Sequence, residues 1–277
     1  MYDLNNKICV IAGSSSGIGK ETALQFSRSG ATVICAARRQ ENLIELVTEI
    51  ESEGGQAEAI PCDFKDPSSV EHIASYVKEK YGRIDVWVNG VGVNNAMGVT
   101  WDLSYDEWFA DVDGNLRTCY LGTKCAINVM KDQGFGRIIN MSGGGVIRPE
   151  IYNSAYACSK TALVRFTECI ALELQKENIP IKIFAFNPGL VRTERTADLV
   201  NLEATKKFMP GIIDKIKNDD ATPIHIPAQF MAFIATGAVD KLDGCLIITE
   251  MDKDYLIAHA DEIVANKSYK IHVRDLQ

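Results

Sequence analysis

The sequence predicts an α/β fold: one doubly wound domain built on a seven-stranded parallel sheet, with helices on both faces. Three observations carry this expectation. Short apolar runs alternate with stretches of helical periodicity along the chain. The runs are nearly continuous in apolar character, as in Ile8-Cys-Val-Ile-Ala12 and Ile181-Lys-Ile-Phe-Ala-Phe186, which suits strands covered by helices on both faces. The first run also empties into a glycine-rich turn, Gly13-Ser-Ser-Ser-Gly-Ile-Gly19, that opens a helical pattern. No composition shift, repeat or low-complexity tract divides the 277 residues, so 1–277 reads as a single domain.

Taken in order, the expected strands are 7–12, 32–36, 57–62, 84–89, 137–141, 181–187 and 245–249. Ser104-Tyr-Asp-Glu107 has capping-box form and opens a helical segment running to about Met130, with Trp108 and Phe109 read as core. Asn153 begins another helix that runs to about Glu177, and His225 ahead of Pro227 resembles a third helix start. Between Glu194 and Pro223 periodicity weakens, with Pro210-Gly211 and Asp219-Asp220 interrupting it, so 194–223 is expected to be a mobile substrate flap. Residues 256–277 read as a polar tail without an assigned role.

Composition narrows the function classes. A formal charge of -8 gives no general support for nucleic-acid or anionic-membrane binding, so the expected partner is a small molecule. No run of 18 apolar residues suggests a membrane span, and no basic-then-apolar leader precedes Lys7, so a cytoplasmic location is expected. The eight cysteines are scattered singly, without a C-x-x-C pair, and read mostly as small reduced core residues. Together with four scattered histidines they offer no metal site.

The chemistry begins at the glycine-rich turn. Gly13, Gly17 and Gly19 allow close approach, and with Ser15, Ser16 and Ile18 they present the amides of a helix N-terminus to a diphosphate. The pattern is G-x-x-x-G-x-G, neither G-x-G-x-x-G nor a Walker A loop, and an ordinary strand-to-helix corner is the competing reading. At the second strand's end, Cys35-Ala-Ala-Arg-Arg39 has no acid to hold a ribose 2′-hydroxyl. Arg38 and Arg39 instead favour a 2′-phosphate, hence NADP(H), unless they are solvated helix-entry charges. Asp63, beside Phe64, could accept from an adenine amino group or simply punctuate the approach to the next helix. Asn89-Gly90-Val91-Gly92 places a turn at the carboxyl end of the fourth strand, suited to a cofactor ribose or to a purely structural corner.

Tyr156 and Lys160 lie one helical turn apart on one face. A free tyrosine, with a pKa near 10, is ionised in only about one molecule in a thousand at neutral pH. A lysine ammonium within ~4 to 6 Å can lower that pKa by roughly 1 to 3 units, which makes a usable proton donor and acceptor.

In their order and spacing, Gly13-x-x-x-Gly17-x-Gly19, Asp63, Asn89-Gly-Val-Gly92, Asn115, Ser142, Tyr156-x-x-x-Lys160 and Pro188-Gly-Leu-Val-Arg-Thr193 resemble the short-chain dehydrogenase/reductase family, with its Rossmann-type fold. The resemblance covers about residues 5 to 250. It implies that Tyr156 passes a proton to or from a carbonyl or hydroxyl while hydride moves to or from a nicotinamide. Lys160 would lower the tyrosine pKa and hold the nicotinamide ribose. Asn115 would hold a water linking the lysine to solvent, and Pro188, Gly189, Val191 and Thr193 would line the carboxamide and diphosphate. It also implies a homodimer or homotetramer paired through the long helices.

Departures from the family pattern are Ala12 for the usual threonine, Asn-Gly-Val-Gly for Asn-Asn-Ala-Gly, and Gly143 at the position of the second serine, thirteen residues before Tyr156. Ser142 is then the remaining hydroxyl, either brought to the substrate oxygen by a shift of the Gly143–Gly145 loop or engaged only with backbone. Asn94, Arg148 and Tyr152 flank the substrate side, while Arg148, Arg192 and Arg195 could meet an anionic group or serve as surface charges. The expected function is an NADP(H)-dependent oxidoreductase of a carbonyl/secondary-alcohol pair; the alternative is a cofactor-binding regulatory or structural protein with little turnover.

Overall fold

A computed structural model describes residues 2–218 and 220–271, the side chain of Arg195 excepted. Asp219 of the expected flap and the last six residues of the expected tail, 272–277, lie outside the described residues. All seven expected strands form: β1 (Ile8–Ala12), β2 (Thr32–Ala37), β3 (Gln56–Pro61), β4 (Val86–Asn89), β5 (Gly136–Met141), β6 (Ile181–Asn187) and β7 (Leu246–Ile248). They make one sheet in the order β3-β2-β1-β4-β5-β6-β7, every pair parallel. The chain order reverses between β1 and β4, and that switch point opens a crevice at the strands' carboxyl ends.

The apolar runs bury both faces of the strands, because successive side chains point to opposite sides. Cys9 and Ile11 of β1 join one core layer with α1 (Gly17–Arg28), α2 (Gln40–Ser52) and α10 (His225–Thr236). Val10 and Ala12 join the other with α3 (Pro67–Tyr81), α5 (Thr118–Gln133) and α6 (Ser154–Lys176). A buried polar cluster ties the second layer to the sheet: Asn89 Nδ2 donates to Asn140 Oδ1 and Thr123 Oγ1, and Asn140 Nδ2 donates to Thr167 Oγ1. Six of the eight cysteines are buried, and burial pushes their thiols up, Cys35 to about 12 and Cys125 to about 11. Cys158 and Cys169 lie exposed on α6.

Two expectations need correcting, and two segments carry more regular structure than the sequence suggests. Ser104 does cap a helix, with Glu107 reciprocating, but α4 (Tyr105–Val112) stops short of α5, and a π-helical turn over Asp113–Arg117 separates them. The wider turn carries Asn115 inward, where its side chain makes four hydrogen bonds. Phe109 is not core: it is 58% exposed, and Trp108 is half-buried with its indole nitrogen donating to Ser154 Oγ, because α4 lies at the edge and buries only Asp111. The segment read as a flap folds into α7 (Glu194–Leu199), α8 (Glu203–Phe208) and α9 (Pro210–Lys217), helices too short to show several turns of periodicity.

The tail also is structured through residue 271. Leu256 of α11 (Lys253–Ala258) and Ala260 and Ile263 of α12 (Ala260–Ala265) follow an i, i+4, i+7 stripe and pack into the first core layer. Beyond them the backbone oxygen of Tyr269 accepts from Leu246 N of edge strand β7, while Ile271 N donates to Glu168 Oε1. Leu256→Ala should therefore cost about 2–5 kcal/mol, as a buried leucine does. A urea titration checks this, since the midpoint should fall with an unchanged slope, whereas a peripheral tail would leave the midpoint in place.

Candidate active site

A cleft of about 1260 Å³ runs along the carboxyl ends of the strands, from the glycine-rich turn past α6 to the α7–α9 segment. At one end the turn after β1 packs against the turn after β4, where Gly90 N donates to Ala12 O at 3.1 Å. A Cβ on Gly19 would stand 2.2 Å from Gly13 O, so only glycine lets α1 begin this close to the strand. Ser16, the N-cap of α1, makes no side-chain capping bond and leaves the opening amides facing the cleft, a ready anion seat. Arg39 reinforces its charge, donating to Ser15 Oγ and, at 2.6 Å, to Ser16 Oγ. Arg38 is exposed, lines the same end, and has no side-chain partner among the described residues. Asp63 and Phe64 border it, with Asp63 Oδ1 accepting from Lys65 N in a local turn.

These features fit a dinucleotide, with Gly13 to Gly19 at the diphosphate and Arg38, Asp63 and Phe64 around the adenosine. Pro188, Gly189, Val191 and Thr193 line the opposite wall. Thr193 caps α7, its Oγ1 accepting from Thr196 N, and its methyl lies 3.5 Å from where a Cβ on Gly17 would stand. Asn89, by contrast, does not line the cleft: its amide is spent on the buried cluster, its Oδ1 also accepting from Trp87 Nε1. The turn presents Gly90 instead.

At the centre, α6 brings Tyr156 and Lys160 into the cleft together. Lys160 is 3% exposed, its Nζ donates to Met141 O at 2.9 Å, and it lies 5.7 Å from the centre of the Tyr156 ring. Asn115 stands beside it and accepts from Val93 N and donates to Val93 O, Asp111 O and Ser159 Oγ. Asp111, which the sequence reading did not single out, accepts from Asn95 N and Ala96 N through Oδ2. Together the two side chains pin the segment 93–96 against the α4–α5 junction.

Opposite them lies the run of three glycines. Ser142 is buried, and its Oγ has no hydrogen-bond partner among the described residues and no solvent access. Tyr156 Oη stands 2.2 Å from the position a Cβ on Gly143 would take, so a serine at 143 does not fit with the tyrosine where it is. Glu150 Oε1 stands in the same relation to Gly144, at 2.2 Å, and Glu150 Oε2 accepts from Asn153 Nδ2. Glu150 and Asn153 both line the cleft and were invisible as site residues, since nothing in their spacing marks them out. Asn94 and Arg148 line the cleft too, whereas Tyr152 packs its ring at a tilt against Phe208 and Arg192 donates to Ile216 O. The Arg195 side chain lies outside the described residues. No group of three or more metal-binding side chains occurs among the described residues, and none of their helices is long and apolar enough to cross a membrane.

The family model for short chain dehydrogenases matches residues 7–204. A 3beta-hydroxysteroid dehydrogenase of Mediterraneibacter gnavus is 31% identical over 265 residues, which span 88% of this chain and 96% of that protein. A 3-oxoacyl-(acyl-carrier-protein) reductase of Thermotoga maritima is 31% identical over 249 residues, 88% of this chain and 99% of the relative. Among solved structures, a phenylalanine-to-tryptophan variant of actinorhodin polyketide ketoreductase with NADPH superposes with a TM-score of 0.80 at 26% identity, covering 90% of this chain and 97% of that one.

The crowding at Gly143 has a measurable consequence. Gly143→Ala should push the Tyr156 hydroxyl aside and lower turnover by roughly tenfold to a hundredfold, the scale of an ångström-sized misplacement. The melting temperature and the binding of NADPH, followed by its fluorescence, should stay near wild type; full activity in the variant would show that the hydroxyl is not held against residue 143.

Proposed function

The chain belongs to the short-chain dehydrogenase/reductase family, and on that premise we propose that it transfers hydride between NADP(H) and a carbonyl/secondary-alcohol pair, with Tyr156 as the general acid and base. That it is an NAD(P)-dependent oxidoreductase follows from its family and relatives. The observation that carries the finer reading is the meeting of the Tyr156 phenol with the buried Lys160 ammonium in one cleft. Bound nicotinamide would supply or take up the hydride. In reduction Tyr156 Oη gives its proton to the carbonyl oxygen as the carbon is reduced, and in oxidation it takes the proton of the alcohol. The fixed positive charge of Lys160 favours the phenolate that results. Ser142 is the second hydroxyl proposed for the substrate oxygen, supported by its unpartnered Oγ next to Gly143. Reaching the oxygen takes a shift of the glycine run.

The preference for NADP(H) is supported by Arg38, exposed and unengaged at the adenosine end, and by Arg39 beside the phosphate seat. Asn115 holds the loop beside Lys160 and would seat the water that the family resemblance implies. Exposed aromatics on and before α4 and α5, Trp101, Tyr105, Phe109 and Tyr120, support pairing into a homodimer or homotetramer. Reduced, buried thiols suit the cytoplasm. The glycine at 143 favours a second reading, a cofactor-binding protein with little turnover, and the experiment below decides between the two.

A panel of ketones and secondary alcohols, run with both cofactors and followed at the nicotinamide absorbance band, should yield turnover that Tyr156→Phe lowers by at least about a hundredfold, the scale of a lost general acid. Cofactor binding should survive that substitution; tight NADPH binding without turnover of any panel member would favour the second reading. Arg38→Ala should weaken NADPH binding about tenfold or more, the scale of a lost charge-assisted hydrogen bond, and leave NADH binding nearly unchanged. Equal losses for the two cofactors would refute the NADP(H) assignment.

A further inference from the structure

Asn153 is a polar side chain in the cleft that the chemistry above leaves unused. It sits at the N-cap of α6, three residues before Tyr156, and is 1% exposed. An asparagine in that position ordinarily turns its side-chain oxygen onto the open amides of its own helix. Asn153 makes no such bond. Its Nδ2 donates to Glu150 Oε2 at 2.9 Å, and its Oδ1 is buried without a hydrogen-bond partner among the described residues.

The orientation of this amide is set by its partner. A carboxylate only accepts, so the NH2 end must face Glu150 and the oxygen must face away from it. The backbone before it is held as well: Tyr152 takes the left-handed region at φ 63, where side chains other than glycine are uncommon, its carbonyl accepts from Gly98 N, and its ring packs on Phe208 at 5.0 Å. Tyr156 follows three residues later on the same helix and lines the same cleft. Tyr156 Oη and Glu150 Oε1 lie against consecutive glycines, each 2.2 Å from the position of a missing Cβ. With adjacent Cα atoms 3.8 Å apart, the two oxygens are separated by no more than about 11 Å. Asn94 Oδ1, also on the cleft lining, is a second buried amide oxygen without a partner among the described residues.

A buried acceptor without a donor is costly, and a ligand that brings the donor recovers that cost. We infer that Asn153, held by Glu150, is a specificity-determining residue that accepts a hydrogen bond from a second hydroxyl on the substrate, next to the reacting carbon. The pocket then selects vicinal diols and α-hydroxy ketones over simple alcohols and ketones. The inference rests on the oxidoreductase reading above. In the oxidative direction one carbinol loses its hydride to the oxidised nicotinamide and its hydroxyl proton to Tyr156, becoming a ketone, while the neighbouring hydroxyl is unchanged.

Paired substrates test this in the full-length protein: trans- and cis-1,2-cyclohexanediol against cyclohexanol, and 3-hydroxy-2-butanone against 2-butanone, with both cofactors. The hydroxylated member of each pair should show kcat/KM at least tenfold higher, because a site built to bond a hydroxyl rejects the analogue that lacks it. Asn153→Ala should remove most of that ratio by lowering the diol value tenfold and leaving cyclohexanol within twofold. Glu150→Gln, which can donate as well as accept and so frees the amide to turn over, should lower the ratio at an unchanged melting temperature; it serves equally if the alanine variant does not fold. Parity within the wild-type pairs, or an equal loss on both members in the variants, overturns the inference while leaving the oxidoreductase reading standing. Faster turnover of 2-aminocyclohexanol than of the diols overturns the choice of hydroxyl as the donor. NADPH binding with no turnover of any alcohol or ketone overturns the oxidoreductase reading and this inference with it.

Discussion

The burial of the Lys160 ammonium is the constraint on which the rest of the cleft depends. A charge shut away from water is costly unless neighbouring groups compensate it. Here the end of β5 does part of that work, Met141 O accepting from Nζ. The surroundings are shaped to leave room for it: a Cβ on Gly92 would come within 3.3 Å of Nζ and 3.1 Å of Asn115 Oδ1. The π-helical turn over Asp113–Arg117 aims Asn115 at Val93, the residue after Gly92 beside the lysine. Asp111 extends the anchorage to residues 95 and 96. Even Cys119 reflects the charge, although burial outweighs the pull of Lys160 and its thiol is pushed up to about 12.

Across from the lysine, the run Gly143–Gly145 exchanges side-chain chemistry for space. Where a serine would add a hydroxyl, the absence of a Cβ lets Tyr156 Oη close onto the loop after β5, and the next glycine admits the Glu150 carboxylate. Residues 150 and 153, carried on the approach to α6, thus add polar groups to this wall beside Ser142. The wall's donors and acceptors depend on how the chain enters α6, where Tyr152 holds a left-handed backbone.

Legibility in the sequence followed the range of the interactions. The strands could be read because burial on both faces writes itself into each short run, and the glycine-rich corner because a tight strand-to-helix turn needs glycine at fixed offsets. Tyr156 and Lys160 were legible because a helix places residues four apart on one face. The inward bonding of Asn89 was not readable, because its partners, Thr123 and Asn140, sit 34 and 51 residues away. The π turn stayed hidden for a similar reason, since it is set by bonds from Asn115 to Val93 and Ser159 rather than by local propensity. The stripe at residues 256, 260 and 263 was readable in principle, but a polar composition masked it.

The segment 194–217 shows how such distant contacts confer order. Its three helices are six to eight residues long, below the length at which a helix is stable in water on its own. Their order therefore comes from anchors. One is Thr193, which caps α7 and sits across from Gly17 at the glycine-rich turn. Another is Phe208 at the end of α8, whose ring packs at a tilt against Tyr152, the residue before Asn153, and a third is α9, which buries Ile213 and Ile216. The same stretch thus touches the glycine-rich turn through one residue and the approach to α6 through another. A change at either end reaches the other through a few short helices rather than through the sheet.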